Sequence, residues 1–384
     1  MDPSEFKSAA AGRAVRVPAG YWAFLPAPLP PELRYDAQLV LRLSQADAAL
    51  SELSGLGRHL PNPHLLIAPY VQREAVLSSR IEGTKTNLSE LLREQVQPDP
   101  ALGQSQDVRE VRNYVRALEL GIRRLPKLPL SLRLVRETHA ELMHGVRSGQ
   151  ATPGEFRRSQ NWIGPPGSTP ATATYVPPPP SELMPALGAW EKFVRRRDVW
   201  PDLVQCALMH EQFEAIHPFL DGNGRVGRLL ITLFLMERGR LSQPLLYLSA
   251  FFEAHRQEYY RHLQAVRTDG DWAGWIGYFL HGVAETAREA VQRAGVLMDL
   301  REKYRQRLRA HAKALALLDE LFINPYVTVA RAAKLLKTSN PTARKAVERL
   351  RAIEMLTETT GRAWGRVYLA RPILRAIERP AKAE

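Results

Sequence analysis

Twelve residues, His217-Pro218-Phe219-Leu220-Asp221-Gly222-Asn223-Gly224-Arg225-Val226-Gly227-Arg228, put a base, a carboxylate, a glycine-bracketed amide and two arginines into one short stretch. Histidine titrates near neutrality, which makes His217 a general-base candidate. Asp221 is a hard oxygen ligand, suited to Mg²⁺ on a polyphosphate. Gly222 and Gly224 permit a sharp turn and a close backbone approach. The amides that follow open a helix, and a helix N-terminus with free N–H groups binds anions. Arg225 and Arg228 share a face of that helix, and guanidinium groups match phosphate oxygens two at a time. Taken singly, a Gly-Asn-Gly stretch is usually a plain turn and a histidine at a helix end is usually structural. Together they point to nucleotidyl or phosphoryl transfer.

Such a cluster needs rigid support on both sides. Upstream, Asp202 to Ile216 spaces its apolar residues as on a helix buried along much of its length. Downstream, Leu229 to Met236 is apolar enough for a core helix. Pro218 stops the first helix and leaves His217 at its end. The spacing therefore predicts a tight loop between two buried helices.

The twelve residues fit every fixed position of the signature His-Pro-Phe-x-Asp-Gly-Asn-Gly-Arg-x-x-Arg, and the chain resembles the Fic family there. That family's usual reaction is AMPylation of a protein hydroxyl from ATP. The resemblance implies a helical Fic fold, ATP as substrate and Mg²⁺ on Asp221. It implies His217 as the catalytic base and an ATP cradle of Asp221, Gly222, Asn223, Gly224, Arg225, Val226, Gly227 and Arg228. Upstream, Ser78-Ser79-Arg80-Ile81-Glu82-Gly83 fits the family's inhibitory motif Ser/Thr-x-x-x-Glu-Gly, with Ser78, Glu82 and Gly83 at its fixed positions. A carboxylate there can pair with Arg228 and take the space of an ATP γ-phosphate. The other reading of Glu82 is an ordinary helix-end glutamate.

Composition sets bounds. At 384 residues the chain has room for two or three domains, and 45% hydrophobic residues is ordinary for a globular protein. No stretch is both long and apolar enough to span a membrane, so no membrane partner is expected. Met1 to Glu5 lacks the features of a signal peptide. The single cysteine, Cys206, gives no disulfide framework and reads as a core residue, which suits a cytoplasmic setting. Of the net charge of +13, residues 301–384 carry +11 and the first 300 residues +2. The basic excess marks a separate C-terminal module with a polyanionic partner, DNA first, or else a merely solvated basic surface.

In order, residues 1–35 are rich in proline and read as an extended arm or mobile tail, with Tyr21 to Leu25 docking. Residues 36–121 read as a helical domain that carries the inhibitory helix. A first helix runs from Gln38 and ends at Gly55 and Gly57, Pro61 and Pro63 mark a break, and a second runs from about Leu65 to Ile81. Further helices fall at Asn87–Glu94 and Asp107–Gly121. Residues 122–297 read as the catalytic domain. Within it, Phe156 to Pro180 suggests a hairpin, which in Fic proteins is the flap that holds a target by strand pairing. Thr172, Ala173, Thr174 and Tyr175 are its candidate target-binding residues, with a plain surface loop as the alternative. Tyr259 and Tyr260 lie on the helix that by resemblance borders the adenine; either they touch the nucleotide or they are core. Trp272–Arg293 is a further helix. Residues 298–384 read as a connecting helix over 298–312 and a winged helix: helix Thr328–Leu336, turn, helix Thr342–Met355, then a hairpin bearing Arg362 and Arg366. A dimerisation or target-docking surface is the alternative to DNA.

The expected fold is all-α with a flap hairpin and a C-terminal winged helix-turn-helix domain. The expected function is AMP transfer from ATP to a Ser, Thr or Tyr hydroxyl of a protein, this chain itself included, under inhibition by Glu82. Two alternatives stay open: removal of AMP from a modified target, and a DNA-binding regulator whose Fic domain senses nucleotide.

Overall fold

Two helices that expose almost nothing form the centre of the molecule. The computed structural model describes residues 1–59, 64–98, 106–146 and 152–378. Helix α7 (Asp202–Ile216) is buried from Leu203 onward, and α8 (Asn223–Glu237) is buried over most of its length and packs against it. A helix buried on every side, as α7 is even at Gln205, His210, Glu211, Gln212 and Glu214, has to be enclosed on every side. Trp190 and Trp275 do part of this, each donating its indole N–H to a carbonyl of α7, Met209 at 3.0 Å and Ala207 at 2.9 Å.

The helices before the pair are α1 (Ala37–His59), α2 (His64–Ile81), α3 (Leu88–Glu94), α4 (Gln106–Arg124), α5 (Leu132–Leu142) and α6 (Pro180–Val194). After it come α9 (Ser249–Ala254), α10 (Arg256–Asp269) and α11 (Trp272–Leu308). The expected break at Pro61 and Pro63 lies outside the described residues. Helix α1 does not end at Gly55 and Gly57 but continues to His59. Gly57 serves close packing instead, since a Cβ there would sit 2.9 Å from the Ser242 hydroxyl. Helix α6 was not anticipated. The proline run read as loop supplies its start, with Pro180 where a missing N–H costs nothing. The helices read as Trp272–Arg293 and 298–312 are one 37-residue helix, α11, because Ala294 and Leu297 stay buried and no cap interrupts them. The helix that carries Tyr259 and Tyr260 is α10, separated from α9 at His255.

Residues 1–35 are not a simple arm. Strands β1 (Gly12–Arg16) and β2 (Trp22–Pro26) form an antiparallel hairpin. Ala23 and Phe24 are buried in a small second core with Tyr175 and Val176, and the Phe24 amide donates to the Val176 carbonyl at 2.8 Å.

The C-terminal part runs α12 (Ala312–Ile323), β3 (Tyr326–Thr328), α13 (Val329–Leu335), α14 (Asn340–Ala352), β4 (Thr357–Glu358), β5 (Val367–Leu369) and α15 (Arg371–Glu378). Its strands pair antiparallel in the order β3-β5-β4. It is docked on the segment around Glu82. Helix α12 packs on α2, Asn324 donates to the Leu92 carbonyl at 3.0 Å, and Arg331 donates to the Gln95 carbonyl at 2.7 Å. No helix among the described residues is long and apolar enough to cross a membrane.

Candidate active site

His217 ends α7 in the left-handed conformation, φ 49°, which turns the chain out of the helix ahead of Pro218. Its Nδ1 lies 3.3 Å from the Glu214 carbonyl. An N–H there donates to that oxygen and leaves Nε2 as the free, basic nitrogen. Burial pushes the imidazole pKa down to about 4, and the cations of Arg267 and Arg157 push the same way. His217 is therefore neutral at physiological pH.

The loop after it is held by its own side chains. Asn223 grips Phe219 at both ends, accepting from its amide at 2.8 Å and donating to its carbonyl at 2.8 Å. Both ends of that side chain are engaged, so Asn223 shapes the loop. Gly222 has φ 81°, and a Cβ there would stand 3.0 Å from the Met143 sulfur. Asp221 accepts from the Gly222 amide at 2.6 Å, and its side chain is 42% exposed. A carboxylate so placed fits a Mg²⁺ site.

Arg225 departs from its expected role. It is buried and ion-paired with Glu110 at 2.8 Å and Asp221 at 3.3 Å, so it orients Asp221 and does not face a phosphate. Val226 is fully buried, and its amide already bonds the Gly222 carbonyl at 3.0 Å. Gly227 faces inward, where a Cβ would meet Glu214 at 2.3 Å. Neither reaches a nucleotide by its side. What remains open is the first turn of α8, which no side chain caps. Such a terminus offers free amides to an anion.

Glu82 occupies that position. A Cβ on Gly224 would lie 2.3 Å from Glu82 Oε1, so the carboxylate rests against the helix's first turn. The same oxygen accepts from Arg228 Nη2 at 2.7 Å. Arg228 also donates through Nε to the Ser78 hydroxyl at 2.9 Å and through Nη2 to the Ser78 carbonyl at 2.9 Å. Gly83, φ 101°, turns the chain away directly after Glu82. Desolvation opposes the charge on Glu82, but Arg228 first and Arg225 after it help to outweigh that and hold the carboxyl below its usual value. Desolvation likewise opposes the charge on Arg228, and Glu82 leads the groups that raise its pKa.

The two tyrosines separate. Tyr259 is buried, accepts or donates to His210 Nε2 at 2.9 Å and stacks on Phe252, so it belongs to the core and not to an adenine pocket. Tyr260 is 43% exposed and its hydroxyl reaches the Ile81 carbonyl at 3.4 Å, beside Glu82. The segment 156–180 holds one antiparallel bridge, between Ile163 and Tyr175, in place of a full hairpin ladder. Pro165, Pro166 and Pro170 lie between them and cannot donate to a ladder. Ala173 and Tyr175 point inward, Tyr175 donating to the Ala215 carbonyl at 2.7 Å, so their side chains are not target-binding. Thr172 and Thr174 are exposed.

Three further residues contribute. Glu110 anchors Arg225, while Arg157 and Asn161 donate to the His217 carbonyl at 2.9 and 3.2 Å. Arg157 and Asn161 bound a run of five polar residues, Arg157-Arg158-Ser159-Gln160-Asn161, in which nothing marks a partner sixty residues away.

Residues 40–123 match the model for the Fic/DOC family N-terminal region, and residues 129–235 match that for the Fic/DOC family. The protein adenylyltransferase Fic of Aedes aegypti is 31% identical over 144 residues, 37% of this chain and 25% of the relative. That of Culex quinquefasciatus is 32% identical over 120 residues, 31% and 21%. The chain thus spans about a quarter of the length of these relatives. A Fic family protein from Desulfovibrio desulfuricans G20 superposes with TM-score 0.60 at 20% identity, over 89% of this chain and 98% of its own. A Fic domain containing signaling protein from Bacteroides thetaiotaomicron does so with TM-score 0.52 at 16% identity, over 67% and 96%. These two likenesses show the fold.

Proposed function

This is a chain with Fic/DOC family domains, and from that premise we propose that it is a protein adenylyltransferase, restrained by Glu82. The observation that carries the proposal is the carboxylate of Glu82 bound to Arg228 over an uncapped helix N-terminus, in the same loop as a histidine with a free Nε2. A phosphate would take the same two partners.

In this reading the terminal phosphates of ATP replace Glu82 on Arg228 and the first amides of α8. His217 Nε2 takes the proton of a Ser, Thr or Tyr hydroxyl as its oxygen bonds to the α-phosphorus. The bond from that phosphorus to the bridging oxygen breaks, and pyrophosphate leaves. Mg²⁺ held by Asp221 would neutralise phosphate charge. Arg225 and Asn223 keep Asp221 and the loop in place. The exposed ring of Tyr260 borders the base. The edge around Ile163 and Thr174 acts as the flap that holds the target backbone. Catalysis of this kind is positioning and electrostatics.

Labelled ATP incubated with wild type, Glu82→Gly and His217→Ala tests the reading. Transfer rises with the first variant and vanishes with the second; equal labelling of all three sinks it. A specific observation also favours reversal. Glu82 is about a third exposed, so water reaches the carboxylate that would orient it against an AMPylated target. Challenging such a target with wild type and Glu82→Gly separates the two directions.

The C-terminal part we read as a winged helix that docks DNA. Arg344, Lys345 and Arg349 lie exposed on α14, and Trp364 is 85% exposed on the β4–β5 loop between Arg362 and Arg366. A second copy of the chain is the competing partner. Buried Cys206 suits a cytoplasmic setting.

A further inference from the structure

Arg157 is a buried cation, 3% exposed, with no carboxylate among its partners in the described residues. Burial brings its pKa down to about 10, so it stays charged at neutral pH. A buried charge without a counter-ion is costly unless its donors are all placed. Here four bonds from its five N–H groups go to backbone carbonyls. Nε donates to His217 at 2.9 Å, Nη2 to Ile216 at 3.4 Å and also to Pro178, and Nη1 to Ser159 at 3.3 Å. The Arg157 amide adds a bond to the Pro218 carbonyl at 2.9 Å, and Asn161 donates to the Phe219 carbonyl at 2.7 Å. Four successive carbonyls, Ile216 to Phe219, are thus held from one short segment.

Capping a helix end does not by itself require a charge. In the same protein Gln205, a neutral amide, satisfies the Phe193 and Arg196 carbonyls at the end of α6, at 2.8 and 3.1 Å. The end of α7 differs in what it presents. Its capping residue, like Lys337 and Glu354 just beyond α13 and α14, is a non-glycine at positive φ, and here that residue is the proposed base. The guanidinium further ties together the two arms of the flap segment, through Ser159 on one and Pro178 on the other.

We propose that Arg157 is the positioning residue of His217, joining both arms of the flap segment to the carbonyls that end α7 and so fixing the backbone from which the imidazole is presented. The inference rests on the adenylyl-transfer reading only for its kinetic arm. The groups that face His217 are Arg157, Arg267 from α10, Glu82 from the end of α2 and the Glu214 carbonyl of its own helix. Arg157 is the one among them that grips the histidine's backbone.

The test uses the full chain carrying Glu82→Gly, alone and with Arg157→Lys or Arg157→Gln. Transfer rate, KM for ATP, melting temperature and the His217 ring titration by NMR are measured, with His217→Ala assigning the resonance. Arg157→Gln lowers the turnover about 10- to 100-fold, the scale of a misplaced reacting group, while KM for ATP changes less than about twofold. Its His217 midpoint moves up, because a cation has gone. Arg157→Lys keeps the charge and so the midpoint, yet loses turnover because an ammonium cannot fork to several carbonyls. Unchanged turnover in both variants overturns the proposal. So does a loss of turnover that tracks the melting temperature and KM, which marks a residue that only holds the fold. If Glu82→Gly transfers no AMP at all, the adenylyl-transfer reading fails, and the backbone amide shifts of His217, Phe219 and their neighbours, displaced in both Arg157 variants or in neither, still decide the role of Arg157.

Discussion

Glu82 Oε1 stands 2.7 Å from Arg228 Nη2 and rests on the first turn of α8, where the chain has otherwise left an anion site open. The pair is asymmetric. Arg228 is buried and tied twice to Ser78, whereas Glu82 is reached by solvent and follows the last turn of α2. The carboxylate is the partner that can leave. Replacing it by glycine removes a competitor for one charged hydrogen bond, so ATP binds about tenfold tighter, a solvent-screened share of what such a bond is worth. Calorimetric titration of ATP into both proteins measures this, and equal affinities would show that Glu82 does not stand in the nucleotide's place.

The turn of the motif has its own requirement. Gly222 sits at φ 81° with the Met143 sulfur 3.0 Å from where a Cβ would be. Alanine there meets both an unfavourable backbone and a crowded neighbour, for a loss of about 1–2 kcal/mol. Urea unfolding reads the loss directly. A variant as stable as wild type would mean that the loop relaxes without cost.

How much of this was legible in the sequence depended on distance along the chain. The His217–Arg228 loop was readable because its helices are contiguous and apolar and its chemistry is local. The pairing of Glu82 with Arg228 spans 146 residues, and only the resemblance of both ends to one family connected them. Arg225 was assigned to phosphate because charge and face were visible, while Glu110, which occupies it, lay on another helix with nothing to mark it. Tyr259 and Tyr260 are adjacent and look alike in sequence; packing against Phe252 buries one and leaves the other at the rim. Gly55 and Gly57 look like a helix end in sequence, yet α1 continues through them and Gly57 is a packing contact. The same local logic missed α6, whose start is a proline.

His210 gives a pH signature away from the loop. It is buried, with Nδ1 3.0 Å from the Gly227 carbonyl and Nε2 2.9 Å from the Tyr259 hydroxyl. Burial lowers its pKa to about 3, against an ordinary value near 6.5. The unfolded chain therefore binds a proton there before the folded chain does. The contribution of neutral His210 is complete above pH 6.5 and is lost as pH falls from there toward 3. The destabilisation caused by His210→Phe is accordingly about 2 kcal/mol smaller at pH 5 than at pH 7.5. Paired denaturation curves at the two pH values cancel the other titrating groups. A difference that does not change with pH would mean that His210 is not held neutral by its surroundings.

The basic face of α14 makes a separable claim. Arg344 and Lys345 are exposed, and no ion pair involving either occurs among the described residues, whereas Arg351 on the same helix is paired with Glu348 at 2.8 Å. Cations free of carboxylates are the ones that displace counterions from a phosphate backbone, each adding about 0.9 to the slope of log affinity against log salt. Fluorescence anisotropy of a labelled DNA duplex should give such a slope for wild type. Arg344→Gln and Lys345→Gln each lower it by about one, and His217→Ala leaves it unchanged. Trp364, at the tip of the β4–β5 loop, adds a contact that salt does not screen, so Trp364→Ala weakens binding at every salt concentration without altering the slope. Absence of salt-dependent duplex binding, with a concentration-dependent dimer in sedimentation, would assign the face to a second copy of the chain.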